Sequence, residues 1–147
     1  MFKHLLVATD GSKLSAKAVT HALGLARALG AKLTAFYAAP DYPSPIYSEA
    51  SMYIPMKRSD YAALCKKEAE SILSPIAAKA KSAGIQFNAV HTIAAVPWEA
   101  ILAAAKKNKC DAIVMASHGR RGMSALLLGS ETQKVLTHTK VPVIVVR

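Results

Sequence analysis

The sequence predicts an α/β fold: a single domain in which helices cover both faces of a doubly wound, five-stranded parallel sheet. Short apolar and β-branched runs alternate along the chain with longer segments of helical spacing. Strands that alternate with helices form right-handed βαβ units, and such units produce a parallel sheet. The length, 147 residues, fits one domain with a full core. We therefore expect the strand order 3-2-1-4-5.

The first part of the chain predicts two strands and a helix, followed by a distinctive connection. Ser12 is a plausible helix N-cap, and Gly30 is a plausible helix stop. Residues 41–59 hold three of the seven prolines and three tyrosines. This composition predicts a long loop that is either functional or carries a short helix. The predicted elements before the loop are a strand at 3–9, a helix at 12–29 and a strand at 32–39.

The remainder of the chain continues the alternation. A helical pattern follows the loop, and Pro75 is expected to kink or divide that helix. Pro97 suits the first turn of the next helix. The predicted elements are a helix at 60–82, a strand at 85–93, a helix at 97–108, a strand at 111–116, a helix at 131–139 and a strand at 141–146.

Composition and charge narrow the classes of function. No apolar run is long enough to span a bilayer, and the opening run is too short for an export signal, so we expect a cytoplasmic protein. Cys65 and Cys110 form no metal-binding pattern and are expected to be buried free thiols. The net charge of +10 favours an anionic ligand or partner, although most basic residues fall on solvated helix faces. Because no nucleic-acid-binding motif is present, the sequence argues against a nucleic-acid partner.

The predicted topology indicates where a ligand binds. In a doubly wound sheet, ligands lie beyond the carboxyl ends of the strands, at the point where the strand order reverses. That point lies between strands 1 and 4, so it brings together residues 8–12 and residues 116–119. Asp10 could accept hydroxyl groups of a ribose there, or could cap the helix that starts near Ser12.

The segment 110–130 has the composition of a phosphate site. A buried strand leads into a loop rich in glycine and arginine, and Gly129-Ser130 then opens a helix. Glycine lets backbone N–H groups approach an anion, and a helix N-terminus supplies free donors and partial positive charge. Arg120 and Arg121 add charge at the rim. From spacing alone, the glycines could equally serve only to turn the chain, with Ser130 as an ordinary helix cap.

These residues resemble the universal stress protein family, whose nucleotide-binding members carry the motif G-x2-G-x9-G-[S/T]. Gly119, nine further residues and Gly129-Ser130 match the motif, whereas Ala116 occupies the first glycine position. The opening residues 6–12 and the closing residues 140–146 are also typical of the family, so the likeness spans the whole chain.

The resemblance implies that the chain binds ATP or a related adenine nucleotide, with little or no turnover. It places Asp10 at the ribose or at a nucleotide-bound Mg²⁺, Ala8 and Thr9 beside the adenine, and the backbone of Ala38 at the base edge. We expect no catalytic residue and no separate metal site; His118 in particular has no partner in sequence. The predicted binding residues are Ala8, Thr9, Asp10, Ala38, Ala116, Ser117, His118, Gly119, Arg120, Gly122, Gly129, Ser130 and Glu131.

Two departures from the family pattern keep other functions open. Ala116 would be strained by roughly 1 kcal/mol if its position required φ > 0. Ala95 replaces a second glycine usual in the family, beside the base pocket. The alternatives are a dimeric interaction protein that binds no nucleotide, and a slow ATP hydrolase.

The last strand predicts a homodimer. An apolar, β-branched strand at a sheet edge invites pairing with another chain, and the run from Val141 to Val146 has this character. The family resemblance implies the same interface.

In the loop after strand 2, Tyr42, Tyr47 and Tyr53 could cover the base or form a partner surface, whereas Trp98 is expected to pack.

Overall fold

A computed structural model describes residues 1–42, 56–119 and 128–147. Strands and helices alternate throughout these ranges. The elements are β1 (His4–Ala8), α1 (Lys13–Leu29), β2 (Lys32–Ala39), α2 (Arg58–Ser82), β3 (Phe87–Ile93), α3 (Pro97–Lys107), β4 (Ala112–Ala116), α4 (Ser130–His138) and β5 (Val143–Val146).

The five strands form one parallel sheet in the order β3-β2-β1-β4-β5, which confirms the predicted fold. The central strand β1 pairs with β2 on one side and with β4 on the other, with Leu6 opposite Thr34 and Ile113. The strand order therefore reverses between β1 and β4, so their carboxyl ends flank the crevice expected of a doubly wound sheet.

Two apolar cores sandwich the sheet. Because successive strand residues point to opposite faces, Leu5 and Val7 of β1 pack under α1 and α2, whereas Leu6 and Ala8 pack under α3 and α4. Phe36 of β2, 1% exposed, is the largest fully buried side chain and lies on the α3 side. The central strands are thus covered on both faces, as in other parallel sheets.

Local signals explain most element boundaries. Ser12 caps α1 by accepting the Ser15 N–H at 3.2 Å, and Gly30 ends that helix in the left-handed conformation, at φ 61°. Helix α2 begins at Arg58, two residues earlier than predicted, and runs unbroken through the exposed Pro75. Pro75 therefore does not divide the helix. The predicted loop 41–59 lies largely outside the described residues.

Both cysteine thiols are free and buried, as predicted. Burial raises the pKa of the Cys110 thiol to about 11, and a hydrogen bond with Thr34 offsets only part of that shift. Cys110 is therefore protonated, and poorly reactive, at neutral pH.

None of the helices in the described ranges combines the length and the apolar character needed to cross a bilayer.

Candidate functional site

The end of β1 holds the predicted acid in a tight turn. The Ser12 N–H donates to Asp10 Oδ1 at 2.9 Å, and the Gly11 N–H donates to Thr9 Oγ1 at 3.2 Å. The Thr9 hydroxyl also shares a 3.0 Å hydrogen bond with the Ser15 hydroxyl, so the Thr9 side chain points towards α1. Asp10 therefore supports the start of α1 with one carboxylate oxygen, while the other lies towards the loop after β4.

The start of α4 is fastened to the end of β4 by two hydrogen bonds. The Gly129 N–H donates to the Ser117 carbonyl at 2.8 Å, and the Thr132 hydroxyl donates to the Ala116 carbonyl at 3.0 Å. These bonds bring the first turn of α4 to the same sheet edge as Asp10. Because the first N–H groups of a helix have no partner within it, this turn presents donors and partial positive charge at that edge.

Two motif glycines lie where a Cβ would crowd its neighbours. A Cβ at position 119 would approach Asp10 Oδ2 to 2.8 Å, closer than real Cβ contacts. A Cβ at position 129 would meet the Ser117 carbonyl oxygen at 3.2 Å and His118 Cα at 3.4 Å. The glycines thus allow the ends of β1, β4 and α4 to converge, which explains their spacing in the sequence.

The alanines at two family glycine positions are not strained. Lys109 is the only non-glycine residue in the described ranges with a positive φ, so Ala116 and Ala95 both avoid the left-handed region. Ala116 is the last residue of β4, and its methyl group packs in the core beneath α1. The strain that a positive φ at position 116 would cause does not arise.

Ala8 and Ala38 lie on the same face of the sheet. Ala8 belongs to the core beneath α3 and α4, and the half-buried Ala38 packs against that core from the end of β2. Ala8 and Ala38 therefore follow the α3 face near the carboxyl edge. Their role beside the adenine stays a prediction.

Ser117 and His118 connect the two parts of the edge. Ser117 is buried, and its N–H donates to the Val146 carbonyl at 2.8 Å. Its hydroxyl shares a 3.0 Å hydrogen bond with His118 Nδ1, while His118 Nε2 is buried and has no hydrogen-bond partner among the described residues. The Ser117 hydroxyl therefore fixes the orientation of the imidazole.

The Glu131 side chain performs a role that the sequence did not reveal. Its carboxylate accepts the Trp98 backbone N–H at 2.8 Å and lies 3.6 Å from Lys134 Nζ. Within the site, Glu131 can therefore contribute its backbone N–H, as can the neighbouring Ser130 at the first position of α4.

Several predicted residues lie outside the described ranges: Arg120, Gly122, Tyr47 and Tyr53. Tyr42 is described, and its ring makes an edge-to-face contact with Tyr61, at 5.3 Å between ring centroids. Trp98 packs as predicted, stacked on His138 at 4.5 Å.

One residue of the edge was missed by sequence reasoning. Thr132 is 3% exposed and holds α4 against β4. Its only sequence signal is a hydroxyl three residues after Gly129, on the inner face of a short helix.

These features define a class of protein: a doubly wound α/β domain whose switch point is formed by a carboxylate, two closely packed glycines and a helix N-terminus. The universal stress protein family model matches residues 1–147. A universal stress protein of Thermus aquaticus is 34% identical over 150 residues, which cover all of both chains. The chain belongs to the universal stress protein family.

Solved structures share the fold. A crystal structure of a universal stress protein in complex with cAMP matches with a TM-score of 0.73 and 26% identity, over 99% of this chain and 97% of that one. A universal stress protein from Archaeoglobus fulgidus in complex with dAMP matches with a TM-score of 0.68 and 19% identity, over 99% and 98% of the two chains.

Proposed function

We propose that this protein binds an adenine nucleotide, ATP in particular, between the ends of β1 and β4. The observation that carries this proposal is the convergence at Gly119 and Gly129, where any side chain would crowd Asp10 or the Ser117 carbonyl. Adenine nucleotides bound to two universal stress proteins of the same fold support the ligand class.

Different residues suit the phosphates, the ribose and the adenine of the nucleotide. The backbone N–H groups of Ser130 and Glu131 and the partial charge of α4 attract the phosphates. The Asp10 carboxylate, with Oδ2 facing Gly119, suits the ribose hydroxyl groups or a phosphate-bound Mg²⁺. The small side chains of Ala8 and Ala38 leave room for the adenine above the α3-side core.

We also propose that turnover is slight. The Ser12 N–H donates to Asp10, and the Ser117 hydroxyl bonds His118, so each group already has a structural role at this edge. The protein would then act as a sensor of nucleotide, paired into a homodimer along β5.

The binding proposal is tested by comparing two glycines. In Gly119→Ala, the new methyl group displaces the Asp10 carboxylate rather than the backbone, so the fold is retained while binding weakens. We expect the Kd for ATP, measured by calorimetry, to rise at least about 10-fold, since hydrogen bonds to charged groups contribute about 1.5–3 kcal/mol. The matched control is Gly24→Ala, where nothing lies within 4 Å and the Kd should not change.

Other outcomes identify the alternatives. If the wild-type protein binds neither ATP nor AMP at millimolar concentration, and none is released on denaturation, the nucleotide proposal fails in favour of an interaction protein. If ATP is turned over, and Asp10→Asn abolishes turnover while binding persists, the protein is a hydrolase.

A further inference from the structure

Nine basic residues gather at the end of the molecule opposite the nucleotide site. Helices in a parallel α/β fold run antiparallel to the strands, so helix C-termini and strand starts share one end. We call this end, all of which lies within the described ranges, the basic end. All nine side chains are exposed: Lys3, Arg27, Lys32, Lys79, Lys81, Lys106, Lys107, Lys109 and Lys140.

The basic residues cover an area rather than a row. Lys3 and Lys32 lie at the strand starts, Arg27 lies in the α1 layer, and Lys107 and Lys140 lie on the opposite side of the sheet, at α3 and after α4. Five strands span roughly 20 Å, and a helix layer about 10 Å thick lies on each face. The charges therefore form a two-dimensional array across a flat end.

Helix dipoles account for only part of this array. Arg27, Lys79, Lys81, Lys106 and Lys107 occupy last helical turns, where a cation is favoured by about 0.3–1 kcal/mol. The other four lie outside helices, so a dipole does not explain their position: Lys3, Lys32, Lys109 and Lys140.

Little opposing charge is present at the basic end. Its one acidic residue is Asp111, whose carboxylate accepts the backbone N–H groups of Lys3 and His4. Among the other described acids, Asp60, Glu99 and Glu131 lie in first helical turns at the far end. The molecule is therefore strongly polarised, with a positive potential concentrated on one face.

An open cavity of about 450 Å³ lies within the basic end, between the ends of α1 and α2 and the starts of β1 and β2. Lys3, Arg27 and Lys32 line it, together with Gly30 and Gly84. Three cations around an open cavity suit the phosphate of a headgroup.

We propose that the basic end docks on the surface of an anionic lipid bilayer. A flat, negatively charged surface meets cations of the sheet and of both helix layers at once, and the sequence carries no nucleic-acid-binding motif. Of the six exposed large apolar side chains in the described ranges, only Met1 and Leu136, in the last turn of α4, lie at this end. Docking is therefore electrostatic adsorption without insertion, and it reverses with salt.

The test is co-sedimentation of the full chain with vesicles of phosphatidylcholine and phosphatidylglycerol in a three-to-one mixture. The wild-type protein should bind them at low salt, leave them at high salt and ignore pure phosphatidylcholine. The triple variant Lys32→Glu, Lys81→Glu, Lys107→Glu should bind at least about 100-fold more weakly, because each basic residue near the surface contributes about fivefold. A charge-matched control, Lys17→Glu, Lys66→Glu, Lys67→Glu, changes exposed lysines away from the basic end and should bind nearly as wild type.

Three results would overturn the proposal: wild-type protein that does not bind the mixed vesicles, a control variant that loses as much affinity as the basic-end variant, or tighter binding to duplex DNA or RNA at equal phosphate concentration. Thermal unfolding of each variant checks the fold, and a Lys→Gln set at the same three positions replaces the Glu set if that set unfolds. ATP affinity should be equal in both triple variants, so this test is independent of the nucleotide proposal.

Discussion

The Asp111 carboxylate joins the starts of β1 and β4. It accepts the Lys3 N–H at 2.7 Å and the His4 N–H at 3.1 Å, across more than a hundred residues of chain. Burial alone would raise the pKa of Asp111, but these two hydrogen bonds favour the charged form and leave the pKa below its ordinary value. Asp111 thus holds the start of β1 in place at the amino edge of the sheet.

A stability prediction follows for Asp111→Asn. The amide can accept one of the two N–H groups but not both, so we expect a loss of about 1 kcal/mol in the free energy of unfolding at pH 7. Because the folded-state pKa is depressed, the contribution of Asp111 is present at neutral pH and is lost as the pH falls through that value. Urea unfolding should therefore separate the two proteins at pH 7 and bring them together in acid. A difference that persists in acid would contradict this origin.

Residues of the site differ in how far sequence could identify them. Gly119 and Gly129 stand in a spaced motif and Asp10 stands in the opening run 6–12, and the structure brings all three to one edge. Thr132 and Asp111 carry no such signal, because their roles depend on which backbone groups lie opposite them after folding. A hydroxyl or a carboxylate in isolation does not reveal its distant partner.

At the scale of elements, α3 depends on α4 for its cap. Helix α3 begins with Pro97, and its N-cap residue, Val96, has no side chain that can accept a hydrogen bond. The Glu131 carboxylate, from the first turn of α4, accepts the Trp98 N–H instead. The side that would hold the base and the helix that would hold the phosphates are therefore connected by the Glu131 side chain, in addition to the contact between Trp98 and His138.

Glu131→Ala should loosen this connection. Loss of a cap costs about 1 kcal/mol, so the free energy of unfolding should fall by that amount, while Glu131→Gln, which keeps an acceptor, should lose less than half of it. Trp98 is the only tryptophan, so its fluorescence reports the α3–α4 contact directly in a denaturant titration. Equal losses in the two variants would mean that the carboxylate does not act as the cap.

Several element boundaries followed a local signal in the sequence. Ser12 and Gly30 bound α1 as expected, and β2 agrees with its prediction at both ends. Strand β5 begins at Val143, later than the predicted Val141, because Pro142 has no N–H to donate to β4. Helix α2 continues through Pro75 because that residue is exposed and tertiary packing fixes the rest of the helix.

At the scale of the whole molecule, the two ends of the sheet attract an anion in different ways. At the carboxyl edge, charged side chains of both signs are present, so a nucleotide would depend on backbone donors and on the start of α4. At the basic end, the attraction comes from net charge, which acts over longer distances and is screened by salt. Composition reported the total charge, but only the topology shows that nine of the 19 basic residues lie on one face.

The proposed dimer can be tested without disturbing the sheet. The Pro142 carbonyl accepts the Ile113 N–H and the Val146 carbonyl accepts the Ser117 N–H, so the alternating backbone of Val145 in β5 faces the open edge. Val145→Pro therefore removes an outward donor but no β4–β5 hydrogen bond, and sedimentation velocity should show a shift from dimer to monomer. Val145→Thr retains the donor and should remain dimeric. If Val145→Pro sediments as a dimer while retaining its circular dichroism, the interface lies elsewhere than β5.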